Sequence, residues 1–250
     1  MKVSFNELQG LSRKAFLALG FSDGHADDAA DMVAWMESFD LHGLEALNNG
    51  LVHLIEEDPD ALPHILYQDG DLAVVDGQDL SVLRSSNLAL ELAFAKARAR
   101  GLSVIKIRRC RQRQLIMGYL ARLAGRGMNV TAFWRNAQKP LTEQVIGFRA
   151  NSTVPSIRVY SVEDVPEENE PNNGITVIMA NHVDLLPTMR SDYRYDLLAK
   201  HEESDLVAVR ERAIANGIEV DPALWERLKV LAQKTLVEAS DASRLGAGPT

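Results

Sequence analysis

Helix-like and strand-like hydrophobic patterns alternate along residues 87–134, and this alternation restricts the fold more than any other feature of the chain. Ser85 and Ser86 provide a predicted N-terminal cap for the first helical pattern. The order predicts a parallel βαβ unit, and with it an α/β (α+β) fold that has a βαβ-containing central sheet. The patterns lie at 87–100 (helix), 102–107 (strand), 115–126 (helix) and 128–134 (strand).

Helical patterns flank this central region on both sides. Ser4 and Glu7 have capping-box spacing ahead of the first helix, and Asp221-Pro222 is a typical start for the last one. Further helices are predicted at 23–39, 44–55 and 203–216, further strands at 72–75, 156–162 and 174–180, and an exposed acidic loop at 163–173. We expect one globular domain over 1–250, made of a helical N-terminal segment (1–57), an α/β core (63–180) and a helical C-terminal segment (202–237).

The acidic balance of the chain limits its partners. With 35 acidic against 27 basic residues, and a formal net charge of -8, general affinity for nucleic acid is not expected. No run approaches the roughly 18 apolar residues that a membrane span needs, so no membrane partner is expected. The first residues lack an apolar signal core, which favours a cytoplasmic location. A single cysteine excludes an internal disulfide framework and a multi-cysteine zinc site, and we expect no metal.

The segment Arg108-Arg-Cys-Arg-Gln-Arg-Gln114, here called the arginine loop, joins the predicted strand at 102–107 to the helix that follows. In α/β folds, anionic ligands bind where a strand ends and a helix begins, and guanidinium groups match carboxylate or phosphate in geometry. Arg109, Arg111 and Arg113 are therefore candidate ligands for a small anionic molecule. The alternative is a solvated loop whose arginines pair with surface carboxylates.

Other reactive side chains give weaker signals. Cys110 lies among arginines that would lower a thiol pKa, but no cysteine-protease pattern surrounds it, which favours a bystander. His42 follows Asp40 at the end of a predicted helix, where it is either a general acid or a helix-capping residue. His182 follows a predicted strand without an identifiable partner. The remaining histidines (His25, His53 and His64, among others) show no metal-ligand spacing, and no dinucleotide or P-loop fingerprint occurs.

The segment Asp40-Leu-His-Gly43, with Leu44 and Leu47, resembles the Asp-Ser-His-Gly-Val-x-Arg-Leu motif of the malate/L-lactate dehydrogenase family that lacks a Rossmann fold. That family also contains sulfolactate and ureidoglycolate dehydrogenases and cyclic-imine reductases. Residues 73–136 and 202–231 are similar to it as well. The resemblance implies a small carboxylate ligand, an NAD(P) cofactor and a homodimer, with His42 as proton donor and Asp40 influencing its protonation.

Three positions depart from the motifs of that family. Its second histidine falls on Arg113 when Gly118-Tyr119 is the anchor. The serine before the first histidine is Leu41 here, and the arginine after it is Ala46. Arginine can hold a carboxylate but cannot transfer a proton at neutral pH, so the change at 113 favours binding over catalysis.

A second resemblance covers nearly the whole chain. Val3-Ser-x-Asn-Glu7 and Arg13-Lys-Ala15 at the start, and Ala242-Ser-Arg-Leu-Gly-Ala-Gly248 at the end, are similar to an uncharacterised bacterial family described only as a domain of unknown function. This second family implies no activity.

Three functions stay open from the sequence. The first is a shortened relative of the malate/lactate-type dehydrogenases that binds a small carboxylate without catalysis. The second is an active NAD(P)-dependent oxidoreductase on a 2-oxoacid, 2-hydroxyacid or cyclic imine. The third is a regulatory or accessory subunit in a metabolic complex. Retention of His42-Gly43 together with the gained arginines favours a surviving anion site.

Overall fold

The elements below belong to a computed structural model that describes residues 1–136, 140–162, 173–183 and 196–233. The helices are α1 (Phe5–Ala18), α2 (Asp23–Ser38), α3 (Gly43–Glu56), α4 (Val82–Arg100), α5 (Met117–Gly125), α6 (Glu203–Asn216) and α7 (Pro222–Gln233). The strands are β1 (Lys2–Val3), β2 (His64–Gln68), β3 (Leu72–Asp76), β4 (Leu102–Arg108), β5 (Asn129–Arg135), β6 (Thr142–Phe148), β7 (Ser156–Ser161), β8 (Ile175–Ala180), β9 (Leu197–His201) and β10 (Ile218–Glu219). A 3₁₀ turn at Arg113–Ile116 precedes α5.

Eight strands form one mixed sheet in the spatial order β2-β3-β4-β8-β5-β6-β7-β9. β3 and β4 pair in parallel, with Leu72 opposite Val104, and α4 is the crossover helix between them. The other neighbouring strands in this sheet are antiparallel. The predicted α/β class is confirmed, with a βαβ unit in the central sheet and helical segments at both ends of the chain.

β4 and β5, which the sequence pattern joins in one parallel unit, are not neighbours in the sheet. β8 lies between them and is antiparallel to each, so that Val104 is opposite Ile178 and Ile178 is opposite Thr131. β4 and β5 therefore run in the same direction but are separated by a strand from much later in the chain. The sequence of β8, Ile-Thr-Val-Ile-Met-Ala, is largely apolar on both faces, as a central strand requires.

The start of α4 differs from the prediction. Ser85 and Ser86 are buried inside the helix, and the cap is Ser81, whose hydroxyl accepts a 3.2 Å hydrogen bond from the Leu83 backbone. The hydroxyl of Ser85 donates to the Ser81 carbonyl at 2.9 Å and that of Ser86 to the Val82 carbonyl at 2.5 Å. Serine can satisfy its hydroxyl on the preceding helical turn, which is why this pair of serines does not mark the helix start.

Three strands of the sheet were not predicted, namely β2, β6 and β9. All five residues of β2 are exposed, and β9 closes the opposite edge of the sheet with four exposed residues and one half-buried residue. β6 begins with the polar residues Thr142, Glu143 and Gln144 and is buried only over its last three positions. These strands lack the apolar alternation that a half-buried strand shows, so their sequences carry little signal.

The N-terminal elements of the described chain pack against its C-terminal elements. The Ser4 hydroxyl accepts from the Glu7 backbone at 3.2 Å and Glu7 accepts from the Ser4 backbone at 2.7 Å, which confirms the capping box. α1 packs on α2 and α7, and β1 pairs with β10. Residues 234–237 of the predicted final helix and 163–172 of the predicted acidic loop lie outside the described residues. No described helix has the length and apolar character needed to cross a bilayer.

α2 is the central helix of the helical layer and contacts α1, α3, α4 and α5. Glycines permit two of these contacts. A side chain at Gly43 would come within 2.5 Å of the Val33 carbonyl, and one at Gly118 within 2.6 Å of the Met32 backbone. Because α3 starts directly against α2, the rest of α3 extends over the edge of the sheet where β4 ends.

Candidate functional site

The arginine loop begins where β4 ends, at the edge of the large sheet that is formed by the ends of its strands. β3 and β5 end at this edge, and β6 and β8 begin there. The backbone near it is unusual, since four non-glycine residues adopt positive φ: Gln78, Asp79, Arg109 and Gln112. Such conformations are uncommon for these residue types and cluster at functional sites, so the edge is a candidate site on backbone geometry alone.

A cavity of about 460 Å³, here called the arginine-loop cavity, opens at this edge. Its walls come from α3, from the loop after β3, from the arginine loop and from the ends of β5, β6 and β8. Most of its polar lining consists of groups that donate hydrogen bonds. The lining residues are Ala46, Asn49, Gly50, His53, Asp79, Cys110, Arg111, Gln112, Arg113, Gln114, Trp134, Asn136, Gln144 and Asn173.

Arg113 is the most informative residue of the cavity. Its Nη1 donates to the Cys110 carbonyl at 3.1 Å and its Nη2 to the Arg135 carbonyl at 2.9 Å. Its Nε is buried and has no hydrogen-bond partner in the described structure. Burial lowers the pKa of this guanidinium, and no carboxylate pairs with it among the described residues. A half-buried cation held only by carbonyl groups leaves positive charge uncompensated in the cavity wall.

Arg111 supplies a second cation. Its backbone is fixed against the start of α4, because its N–H donates to the Leu80 carbonyl and its carbonyl accepts from Val82, both at 3.0 Å. Its side chain is exposed, lines the cavity and forms no hydrogen bond or ion pair with the described residues. Burial raises the pKa of Glu57, and the charge of Arg111 acts at longer range against this rise. The backbone of Arg111 is thus held in place, while its guanidinium group is available to a ligand.

Arg109 does not line the cavity, and its guanidinium group pairs with two carboxylates. Its Nε donates to Asp76 Oδ1 at 2.9 Å, its Nη2 also contacts Asp76, and its Nη1 lies 3.6 Å from Asp79. The pKa of Asp76 is lowered, chiefly by this hydrogen bonding from Arg109. Of the three arginines predicted to bind an anion, the structure therefore brings Arg111 and Arg113 to the cavity and leaves Arg109 outside it.

One face of α3 forms one wall of the cavity. Gln112 reaches this face, where its Nε2 lies 3.4 Å from both the Ala46 and Leu47 carbonyls. Gly50 makes the approach possible, because a Cβ at this position would overlap the Gln112 side chain. The contact fixes the distance between α3 and the arginine loop.

His53 is a cavity residue that the sequence analysis passed over. It is exposed and lies on the α3 face that also carries Ala46, Asn49 and Gly50. Positions three, four and seven apart share a helix face, so this spacing was a signal that could have placed His53 beside the arginine loop once α3 was assigned.

His42 and Asp40 lie elsewhere. Both have positive φ, 53° and 58°, in the turn before α3. His42 stands at the opposite end of α3 from His53, about 16 Å away at 1.5 Å per residue. Asp40 lines a separate cavity of about 280 Å³. His42 occupies the N-cap position of α3, but its side chain makes no capping hydrogen bond. Glu37 of α2 accepts from the Leu44 backbone at 2.9 Å instead, and burial raises the pKa of Glu37.

Two further candidates, Cys110 in the cavity wall and His182 outside the cavity, show no chemistry toward a ligand. Cys110 is fully buried, and burial raises the pKa of its thiol to about 12, which agrees with the bystander interpretation. His182 follows the end of β8, and Ala180 of that strand is opposite Leu102 at the start of β4. His182 therefore lies at the other edge of the sheet from the arginine loop. The described residues contain no group of three His, Cys, Asp or Glu side chains that could hold a metal ion.

Comparison with known proteins places the chain near one family of unknown function and one group of folds. Residues 3–100 match the family model described as protein of unknown function DUF3726. No curated protein matches the chain. The resemblance to a domain-of-unknown-function family is confirmed over the matched residues.

Solved structures share the fold at low sequence identity. Malate dehydrogenase from Pyrococcus horikoshii OT3 superposes with a TM-score of 0.69 at 13% identity, over 95% of this chain and 96% of that chain. Delta1-piperideine-2-carboxylate reductase from Pseudomonas syringae pvar. tomato gives 0.64 at 15%, over 92% and 99%. Sulfolactate dehydrogenase from Methanocaldococcus jannaschii gives 0.63 at 15%, over 94% and 97%. The chain therefore has a malate/lactate-dehydrogenase-like fold.

Proposed function

We propose that the arginine-loop cavity binds a small carboxylate. The observation that carries this proposal is Arg113, a half-buried guanidinium with an unpartnered Nε and no carboxylate partner among the described residues. A buried unsatisfied polar group costs about 1–3 kcal/mol, and more when it is charged. A bound anion would offset part of this cost, which is why such an arrangement favours a ligand over a purely structural role.

The rest of the lining supports a small organic acid. Arg111 is available for a second charge-assisted contact, and guanidinium groups match the planar carboxylate. Asn49 and Gln144 offer amides to a hydroxyl or keto group next to the acid. A cavity of about 460 Å³ is within the range of small-molecule sites.

Calorimetry with malonate and pyruvate tests the proposal. We expect Arg111→Ala and Arg113→Ala to weaken binding about tenfold or more, since charge-assisted hydrogen bonds contribute about 1.5–3 kcal/mol. Arg109→Gln is the matched control, because Arg109 belongs to the same loop but pairs with Asp76 outside the cavity. Absence of binding to any small carboxylate by the unaltered protein, or equal losses in all three variants, would overturn the proposal.

The shared fold favours a second candidate, an NAD(P)-dependent oxidoreductase on a 2-oxoacid, 2-hydroxyacid or cyclic imine. Oxidation of NADH or NADPH with pyruvate, oxaloacetate and a cyclic imine, followed by absorbance, tests it. Activity that depends on His42, the proton donor expected from the family motif, would favour the enzyme. Inactivity across the panel, with carboxylate binding retained, would favour the binding protein.

The described cavity does not fit a whole nicotinamide dinucleotide. Its volume suits a small acid, and its described lining has no glycine-rich turn at a helix N-terminus to hold a pyrophosphate. Binding of NADH, measured by quenching of its fluorescence or by calorimetry, decides whether the chain accepts the cofactor.

Assembly and setting complete the proposal. From the family resemblance we infer a single-domain chain that forms a homodimer in the cytoplasm, and a role as regulatory or accessory subunit follows if catalysis is absent. Light scattering on the purified protein tests the dimer. A monomer at micromolar concentration would remove that part of the proposal.

A further inference from the structure

We propose that His53 is the third anion contact of the arginine-loop cavity and that it takes up a proton when a carboxylate binds. This inference rests on the proposed function, because it requires the same ligand. It adds a residue that the family motif does not contain and a dependence on pH that two arginines alone would not produce, since guanidinium groups keep their charge at all physiological pH values.

The position of His53 follows from the packing of α3. Gly50 lets Gln112 approach the helix, and Gln112 lies 3.4 Å from the Ala46 carbonyl one turn before it. His53 is three residues after Gly50, so its side chain leaves the helix on the same face, beyond the contact with Gln112. It lines the cavity together with Arg111 and Arg113 and is exposed to whatever enters.

Charged groups from two loops line the cavity together with His53. From the arginine loop it faces the cations Arg111 and Arg113, both without a carboxylate partner among the described residues, and the neutral thiol of Cys110. From the loop after β3 it faces Asp79, which lies 3.6 Å from Arg109. These groups leave an excess of positive charge in the cavity wall.

Charged groups on the neighbouring elements have partners of their own. Directly after α3, Glu57 is paired with Arg84 at 3.1 Å, and Glu56, the last residue of α3, is exposed. At the β5–β6 end, Glu143 is paired with Arg135 at 3.0 Å. From α7, Arg227 donates to Asn48 at 2.7 Å. The excess charge in the cavity is therefore set mainly by Arg111 and Arg113.

A bound carboxylate reverses the balance. It neutralises part of the charge on the two arginines and adds a negative charge within reach of the imidazole, so it favours the protonated form of His53. Binding then takes up a proton. By linkage, the affinity for the carboxylate rises as pH falls through the range in which imidazole titrates and is lowest when His53 is neutral.

The experiment is calorimetry with malonate as the probe, at about pH 7, in bis-Tris and in Tris, whose ionisation enthalpies differ. The difference in observed enthalpy between the two buffers gives the number of protons taken up. We expect net uptake in the unaltered protein and about a five- to tenfold gain in affinity between about pH 8 and about pH 6. His53→Gln should remove both effects while leaving measurable binding.

His182→Gln is the matched control, because His182 is an exposed histidine that lies at the other end of the sheet and does not line the cavity. It should retain both the proton uptake and the pH dependence. Circular dichroism and thermal unfolding establish that each variant is folded, and His53→Asn serves if His53→Gln is not.

The two proposals fail in different ways. If the unaltered protein binds neither malonate nor another small carboxylate, the proposed function falls and the role of His53 falls with it. If malonate binds and Arg113→Ala weakens it, but proton uptake is absent or survives in His53→Gln, the anion site stands and the role of His53 is overturned. Loss of proton uptake in His182→Gln alone would likewise overturn it.

Discussion

Arg113 donates a 2.9 Å hydrogen bond from Nη2 to the carbonyl oxygen of Arg135, joining the arginine loop to the end of β5. A second bond of 3.1 Å, from Nη1 to the Cys110 carbonyl, holds the same guanidinium from within the loop. Carbonyl dipoles therefore fix the orientation of the group without cancelling its charge. An ion pair would have given the opposite result, a neutral wall with nothing left to attract a ligand.

Replacement of Arg113 by methionine should reduce malonate binding without unfolding the protein. Methionine is similar in length and removes a desolvated charge, which offsets the two lost hydrogen bonds, so we expect the free energy of unfolding to change by less than about 1.5 kcal/mol. Urea denaturation measures this. Malonate should stabilise the unaltered protein but not the variant. A loss above about 3 kcal/mol would instead assign Arg113 a structural role.

Gly50→Ala should separate stability from binding. Alanine in a helix interior gains about 1 kcal/mol over glycine, whereas the displaced Gln112 loses only two long contacts of 3.4 Å. We expect unchanged or higher stability in thermal unfolding, together with weaker malonate binding in calorimetry. Gln112→Ala is the control, since it should weaken binding similarly with no gain in stability. Full affinity in Gly50→Ala would show that this contact does not shape the cavity.

Asp76→Asn should lower stability in a way that depends on pH. The pKa of Asp76 in the folded protein is below its ordinary value because Arg109 donates to the carboxylate. A lowered folded-state pKa contributes stability above the unfolded pKa of about 4, and this contribution disappears as pH falls through the lower folded value.

The thermal midpoint of Asp76→Asn should therefore lie below that of the unaltered protein at neutral pH, and the two should converge in acid. Asp79→Asn is the control, and we expect it to lower the thermal midpoint less. Asp79 lies 3.6 Å from Arg109, farther than the 2.9 Å hydrogen bond that Asp76 accepts. A gap that stays constant down to about pH 3 would contradict the assignment, since the carboxylate would then contribute no pH-dependent stability.

Glu57→Gln should be among the more destabilising single substitutions. Glu57 and Arg84 form a 3.1 Å ion pair in which each side chain is only 6% exposed, and Arg84 also stacks on the Phe21 ring at 3.7 Å. Removal of one partner leaves the other charge buried and unpaired, at a cost of about 3 kcal/mol. Chemical denaturation of Glu57→Gln, Arg84→Met and the double variant gives the coupling free energy between the two side chains. Additive losses would show that the pair does not act as a unit.

Much of the fold could be predicted from local patterns, and the part that could not is where distant segments meet. The capping box at Ser4 and Glu7, the starts of α2 and α7 and the strand pattern of β8 all appear in the sequence because short-range chemistry determines them. The insertion of β8 between β4 and β5 depends on pairing across the sheet, which no local pattern records. β2, β6 and β9 are too polar or too exposed to show strand periodicity.

The candidate site, like the fold, could be predicted only in part from the sequence. The position of the arginine loop after β4 followed from the order of elements. The different surroundings of its arginines did not, because Arg109 meets Asp76 through the parallel pairing of β3 with β4, whereas Arg113 meets the end of β5. His53 is ordinary in the sequence and becomes relevant only because Gly50 lets α3 approach Gln112. Side-chain environments of this kind are properties of the assembled chain.

The insertion of β8 also bears on how the chain can be synthesised and divided. Until residues 175–180 have left the ribosome, β4 and β5 lack their shared neighbour, and each presents a row of unpaired backbone groups. A nascent chain halted before that point, or a fragment cut there, would expose the unpaired backbone groups of β4 and β5. Other chains could pair with these strands. Completion of the sheet is therefore a late, long-range event, and slow folding with a dependence on chaperones is the expected consequence.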